Sequence, residues 1–308
     1  MASLFDNWSG KGQFAGHETF PLRLLWLKKA FDATIGGAPV SVFKDEDAIV
    51  KFGVGKNMAV AMRYWATAAG IIEQDGTILR PTEFGTKLLA ADGFDPYLEN
   101  ISSLWQIHWK FASTPEFTTT TYFAFNALLA SEFRSADLVE ALSGIATERN
   151  WRAAPKTVTN DVTVLLRNYC ARDGSGGEDA AEPLLAELGL IRQGNDGGWF
   201  EFSVGPKPTL DDGVFALALD DFWERSHADL ATVTAEQLCY SAGAPGRVFK
   251  LDEDSAVRRL MDIEDYTDGA YVWVDTAGLR QIQKRKPLNR TKTMNQIYPT
   301  FHRRSEVA

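Results

Sequence analysis

The run GHETF places an imidazole and a carboxylate side by side at His17 and Glu18, with Arg23 and Asp32 a short way downstream. A His beside a Glu is how a zinc-protease motif begins. Spacing narrows the choice. A second His is missing from the fifth position of the motif, so a zinc-protease HExxH helix is excluded. FGVGKN at 52–57 lacks the GxxxxGK[ST] of a Walker loop, and Gly53 and Gly55 suit a tight turn instead. No GxSxG and no PD…ExK nuclease arrangement occurs. Each candidate also has a plainer use. Glu18 suits the acidic start of a helix with Pro21 at its first position. On a helical wheel Arg23 falls between Trp26, Leu27 and Ala30, so it is either a buried ion pair with Glu18 or a phosphate clamp. Lys28 and Asp32, four residues apart, suit a weak surface pair. His108 in SLWQIHWKF sits among aromatics at helical spacing and reads as core.

Two helices carry a second pattern. At about 100° per residue, Lys56, Val60, Arg63 and Thr67 share one face, and Met58, Ala61, Met62 and Trp65 the other. From Lys156 the same spacing puts Lys156, Asn160, Thr163 and Arg167 outward, and Val158, Val162, Leu165 and Tyr169 inward. A recognition helix needs this split: an inner stripe anchors it, and an outer stripe reaches phosphates and base edges. An ordinary amphipathic helix with a solvated face satisfies it too. Lys28, Lys51 and Asn57 join the candidate DNA contacts, as do Lys284 and Arg285 from the C-terminal stretch.

The elements around these helices repeat an order of helices followed by a hairpin. The first set is a mobile leader over 1–15, a helix over PLRLLWLKKAF, a second from about Lys44, the helix 56–69, and a hairpin turning at Asp75-Gly76, with Thr82 capping the next helix. The second set is helices at 119–130, 136–147 and 155–170, an exposed loop over ARDGSGGEDA, and a hairpin turning near Asp196-Gly197. The third is a helix over DEDSAVRRLMDIEDY, a hairpin around Asp268-Gly269 and a basic tail. Its acids, Glu253, Asp254, Asp262 and Glu264, would repel phosphate, so it reads as a packing or dimerisation module. The expected fold is mainly α with small β-hairpin wings (α+β), in three winged helix-turn-helix-like domains at 1–100, 101–205 and 206–308.

A chain of 308 residues, 45% hydrophobic, has core enough for such domains. It shows no transmembrane run and no signal peptide. Cys170 and Cys239 are too few and too far apart for a disulfide framework or a zinc ribbon, which points to a reduced, cytoplasmic protein. The net charge of -9 argues against a polyanionic partner, but the charge is segregated. No acid occurs from Thr276 to Ser305, where Arg280, Lys284, Arg285, Lys286, Arg290, Lys292, Arg303 and Arg304 lie. Ile49 to Ile72 is also free of acid. A basic surface on an acidic body is therefore possible.

With GHETFPLRLLWLKK, FGVGKNMAVAMRYWATAAGII and LWQIHWKFAS in that order, and PGRVFKLDEDS further on, the chain resembles a bacterial family of about this length. That family is defined only as a domain of unknown function. Its genes often sit beside a PAPS-reductase-like sulfurtransferase in DNA phosphorothioation and phage-defence clusters. The resemblance implies a DNA-binding protein that nicks one strand so that sulfur can enter the backbone, with Mg2+ as the possible cofactor. It also implies a cysteine desulfurase, a P-loop ATPase and the sulfurtransferase as partners, and marks His17, Glu18, Arg23 and Asp32 as the polar residues to test. The alternatives are a non-catalytic DNA-binding or regulatory subunit, and a protein-interaction scaffold in which Lys56, Arg63, Lys156 and Arg167 lie on unrelated faces. A homodimer is expected, because symmetric DNA sites suit tandem winged helices.

Overall fold

One order of elements recurs three times: helix, short strand, two or more helices, then a hairpin. The computed structural model describes residues 2–5, 8–170, 183–194, 198–276 and 278–299. The first set is α1 (Trp26–Thr34), β1 (Ala38–Pro39), α2 (Asp47–Phe52), α3 (Lys56–Ala68), β2 (Ile72–Asp75) and β3 (Ile78–Pro81). Helices α4 (Glu83–Leu89) and α5 (Ile101–Ala112) follow. The second set is α6 (Thr119–Ala127), β4 (Glu132–Arg134), α7 (Ser135–Glu148), α8 (Pro155–Tyr169), β5 (Ile191–Gln193) and β6 (Trp199–Phe202). The third is α9 (Asp212–Ser226), β7 (Thr232–Thr234), α10 (Ala235–Tyr240), α11 (Pro245–Val248), α12 (Glu253–Met261), α13 (Ile263–Tyr266), β8 (Tyr271–Thr276) and β9 (Leu279–Lys284), closed by α14 (Arg290–Ile297). All three sheets are antiparallel, with the hairpin's second strand in the middle: β1-β3-β2, β4-β6-β5 and β7-β9-β8. The chain is α+β, as expected.

Local chemistry sets the joints. Gly53 ends α2 in the left-handed region at φ 64, where a side chain is costly, and Gly55 then opens α3. Pro155 occupies the first turn of α8, where its missing N–H costs nothing. Thr82 caps α4 by accepting from the Gly85 amide at 2.8 Å. Thr234 and Gln237 close a reciprocal capping box on α10.

Packing groups the chain into two compact units: Met1–Ala124 with Leu128–Ser203, and Phe125–Ala127 with Val204–Ala308. The segment expected as the first domain and most of the one expected as the middle domain lie together in the first unit, whose core includes Trp105, Phe111, Phe123 and Phe43.

Several expectations shift. Helix α1 starts at Trp26 instead of Pro21, which leaves Leu24 and Leu25 exposed and Arg23 half-buried outside the helix. The wheel argument that buried Arg23 therefore fails, as does Pro21 as a first helical residue. The leader is packed where it is described: Phe5 is buried edge-on to Trp151, and the Gln13 amide donates to Thr119 Oγ1 at 2.8 Å. The helix expected from Lys44 begins at Asp47. The third hairpin turns between Thr276 and Leu279, not at Asp268-Gly269, which precede its first strand. The expected loop 171–180 and the Asp196-Gly197 turn lie outside the described residues.

The second unit buries two lysines. Lys207 Nζ donates to the carbonyls of Gly205 and Lys250, and Lys250 Nζ donates to Phe125 O at 2.8 Å. Burial, with Arg247 nearby, pulls the Lys250 ammonium down to about 7. A folded-state value below the unfolded one means the unfolded chain binds more protons between the two, so stability rises with pH across that window. Urea melts from pH 7 to pH 10 should show this rise. In Lys250→Met the slope should flatten, and an unchanged slope would assign it to other groups.

Candidate nucleic-acid interface

Both amphipathic helices present the faces their spacing predicts. On α3, Lys56 and Asn57 are exposed and Val60, Arg63 and Thr67 half-exposed, while Ala61, Met62 and Trp65 are buried and Met58, expected with them, is half-exposed. On α8, Lys156 and Thr163 are exposed and Asn160 and Arg167 half-exposed, over buried Val158, Val162, Leu165 and Tyr169. Lys51, on α2, is exposed beside them in sequence, with its Nζ 5.8 Å from the Phe52 ring centre.

Arg63 differs from the rest. Its Nε is buried and has no hydrogen-bond partner, and burial lowers the guanidinium's affinity for its proton. A cation that is partly desolvated and incompletely paired is expensive unless an anion completes it.

Between the two helices runs the GHETF segment. The Asp161 carboxylate of α8, 5% exposed, accepts from the Ala15 amide at 2.8 Å, His17 Nε2 at 3.0 Å and Thr120 Oγ1 at 3.3 Å. His17 Nδ1 accepts from the Thr19 amide at 3.1 Å, so the proton sits on Nε2 and the ring is fully used. Asn168 of α8 accepts from the Leu22 amide at 2.9 Å. From α3, Trp65 Nε1 donates to Phe20 O at 2.9 Å, and the His17 ring stacks on the Trp65 indole at 5.9 Å. Burial and the Asp161 charge push the Tyr64 phenol far up, and its hydroxyl donates to Phe117 O.

The four residues singled out for chemistry do not converge. His17 is 3% exposed and lines a void of about 10 Å³, too small for a substrate. Glu18 is exposed on the same loop. Arg23 lies over the Trp26 ring at 5.7 Å. Asp32 pairs with Lys28 Nζ at 2.7 Å and borders a separate cleft of about 550 Å³ with Arg80, Ile35 and Thr86. Among the described residues no three His, Cys, Asp or Glu side chains gather into a metal site. The described residues thus offer no three-ligand cage, and Mg2+, which keeps several of its waters, would be held through one or two carboxylates.

The C-terminal cations are answered by acids of their own unit. Lys284 lies on Asp220 and Glu224, Arg285 faces Glu264 at 3.9 Å, and Arg290 bridges Asp220 and Asp221 at 2.6 and 2.8 Å. Lys292 meets Asp268 at 3.0 Å, and Arg280 meets Glu253 at 2.9 Å. Most of the basic run is thus matched internally, and Lys284 and Arg285 carry less free charge than the sequence suggests. Arg303 and Arg304 lie outside the described residues.

Asp161 and Asn168 organise the loop, and the sequence gives little sign of it. The only available signal was their type: two polar residues on the inward side of an amphipathic helix.

Among the described residues no helix is long and apolar enough to cross a membrane. No curated protein matches the chain in sequence. Two solved structures do match. A magnesium ion-bound SspB crystal structure is 30% identical, with a TM-score of 0.84 over 94% of this chain and 89% of that one. A second SspB crystal structure is 28% identical, with a TM-score of 0.83 over the same shares. A family model described as a protein of unknown function, DUF4007, matches residues 14–298, so the chain belongs to the DUF4007 family.

Proposed function

We propose that the chain is a DNA-binding component of a bacterial DNA phosphorothioation system, built from winged-helix units that meet DNA through α3 and α8. The observation that carries this reading is the unpartnered, half-buried Arg63 guanidinium on the outer face of α3. A phosphate oxygen would meet the accessible part of this guanidinium, whose buried Nε holds no competing partner. Support also comes from the helix–strand–helix–helix–hairpin order, which is that of a winged helix, and from the similarity to SspB. In this reading Lys51, Lys56, Asn57, Lys156, Asn160 and Arg167 contact backbone or bases. The system's cysteine desulfurase, P-loop ATPase and PAPS-reductase-like sulfurtransferase are its cytoplasmic partners, and a homodimer pairs two half-sites. Titration of a labelled duplex at rising salt tests it. Affinity should fall steeply and log-linearly with salt. No binding at about 50 mM salt would sink the proposal.

The magnesium ion in a similar structure favours a second reading, a nickase. Supercoiled plasmid with Mg2+, with and without EDTA, and a Glu18→Ala/Asp32→Ala variant decide between the two. Open-circle product lost in EDTA and in the variant supports nicking at the N-terminal motif. Intact plasmid that still shifts in a gel leaves a DNA-binding subunit.

A further inference from the structure

We infer that residues 13–22 form a yoke that sets the spacing of α3 and α8, with His17 as its positioning residue. The inference rests on the reading that both helices face DNA, and it gives the GHETF motif a role that catalysis does not require.

The segment is tied to both helices by separate bonds. Toward α8 it uses Asp161 and Asn168, and toward α3 it uses Trp65. A third tie runs from Gln13 to Thr119 on α6. His17 is common to the ties on the two helices, bonding Asp161 through Nε2 while its ring lies against Trp65 and Tyr64. The backbone is held in an unfavourable form: Ala15, Glu18 and Thr19 have φ of 65, 48 and 67°, left-handed values for residues with side chains. Such conformations persist where surroundings over-determine them, and they mark parts whose geometry matters. Two rigid surfaces at a fixed spacing bind one duplex with a local concentration that loose surfaces lack.

The test uses the full chain with spin labels at Lys56→Cys and Lys156→Cys in a Cys170→Ser background. Cys239 is buried. Electron–electron resonance should give one narrow distance, broadened in His17→Ala and narrowed again in His17→Gln, whose amide can still donate to Asp161. Trp65→Phe, which removes the indole's bond to Phe20 O, should also broaden it, and it serves if His17→Ala does not fold. Unchanged distances in these variants overturn the inference, whether or not DNA binds. On unlabelled protein, His17→Ala should weaken binding to a duplex of about 24 base pairs roughly tenfold, and His17→Gln should restore most of it. Equal losses in the two variants would make His17 merely structural and overturn its positioning role. A parent protein that binds no duplex defeats the DNA reading alone, since the distances still decide the yoke.

Discussion

Arg63→Met should weaken duplex binding by about ten- to a hundredfold while raising the melting temperature of the free protein. The two shifts have one cause. In the free protein the buried Nε lacks a partner, and leaving such a donor unsatisfied costs about 1–3 kcal/mol. Methionine keeps much of the stem's packing and removes that cost. In the proposed DNA complex the same guanidinium would make a charge-assisted bond to phosphate, a contact of about 1.5–3 kcal/mol. Arg63→Lys should fall between, since it keeps the charge and loses the planar fork. The slope of log affinity against log salt should flatten by about one phosphate's share in Arg63→Met. Fluorescence anisotropy and a thermal melt on the same samples suffice. A variant that loses stability and affinity together would show that Arg63 holds the fold and does not serve the ligand.

The largest stability loss should come from adding a single methyl group, Gly85→Ala. A Cβ at this position would stand 2.1 Å from the carbonyl oxygen of Ile71 and 2.9 Å from its carbon. Those atoms are backbone at the root of β2, and the Ile71 carbonyl already accepts the Thr82 amide at 3.0 Å. Neither side can give way without moving the junction between α4 and the hairpin. Overpacking of this kind costs about 1–3 kcal/mol and more where backbone must shift, so about 3 kcal/mol or above is expected here. Ala is otherwise the better helix former, and propensity alone would predict a gain of about 1 kcal/mol. Urea denaturation of the variant decides the sign, and a stabilised Gly85→Ala would mean that α4 does not approach β2 this closely.

Helical periodicity carried most of what was legible in the sequence. The inner and outer faces of α3 and α8 follow from spacing alone, because a helix buried on one side leaves a stripe at every third and fourth position. Short strands leave no such trace. β1, β4 and β7 have two or three residues each, too few for alternation to register, and the sheets they complete could not be foreseen. Helix starts drifted where apolar residues run past the true end, as Leu24 and Leu25 do before α1. Charge misled for a related reason. The run from Arg280 to Lys292 looks like a polyanion-binding tail, yet its partners Glu224, Asp220 and Glu264 lie far away in sequence and meet it only after folding. The resemblance of the GHETF motif points to His17 as a residue for chemistry, whereas its neighbours in space are Asp161, Trp65 and Tyr64.

The strand order repeated in the three sheets also sets a timetable for the chain as it is synthesised. Each hairpin pairs neighbours and can form as soon as it emerges. Each leading strand waits, since Ala38 needs Leu79, Glu132 needs Glu201 and Thr232 needs Gln283. With emergence at about 5–20 residues per second, a leading strand spends seconds with an open edge before its partner exists. Brevity is what makes that wait safe: an edge two or three residues long offers too little backbone to recruit a strand from another nascent chain.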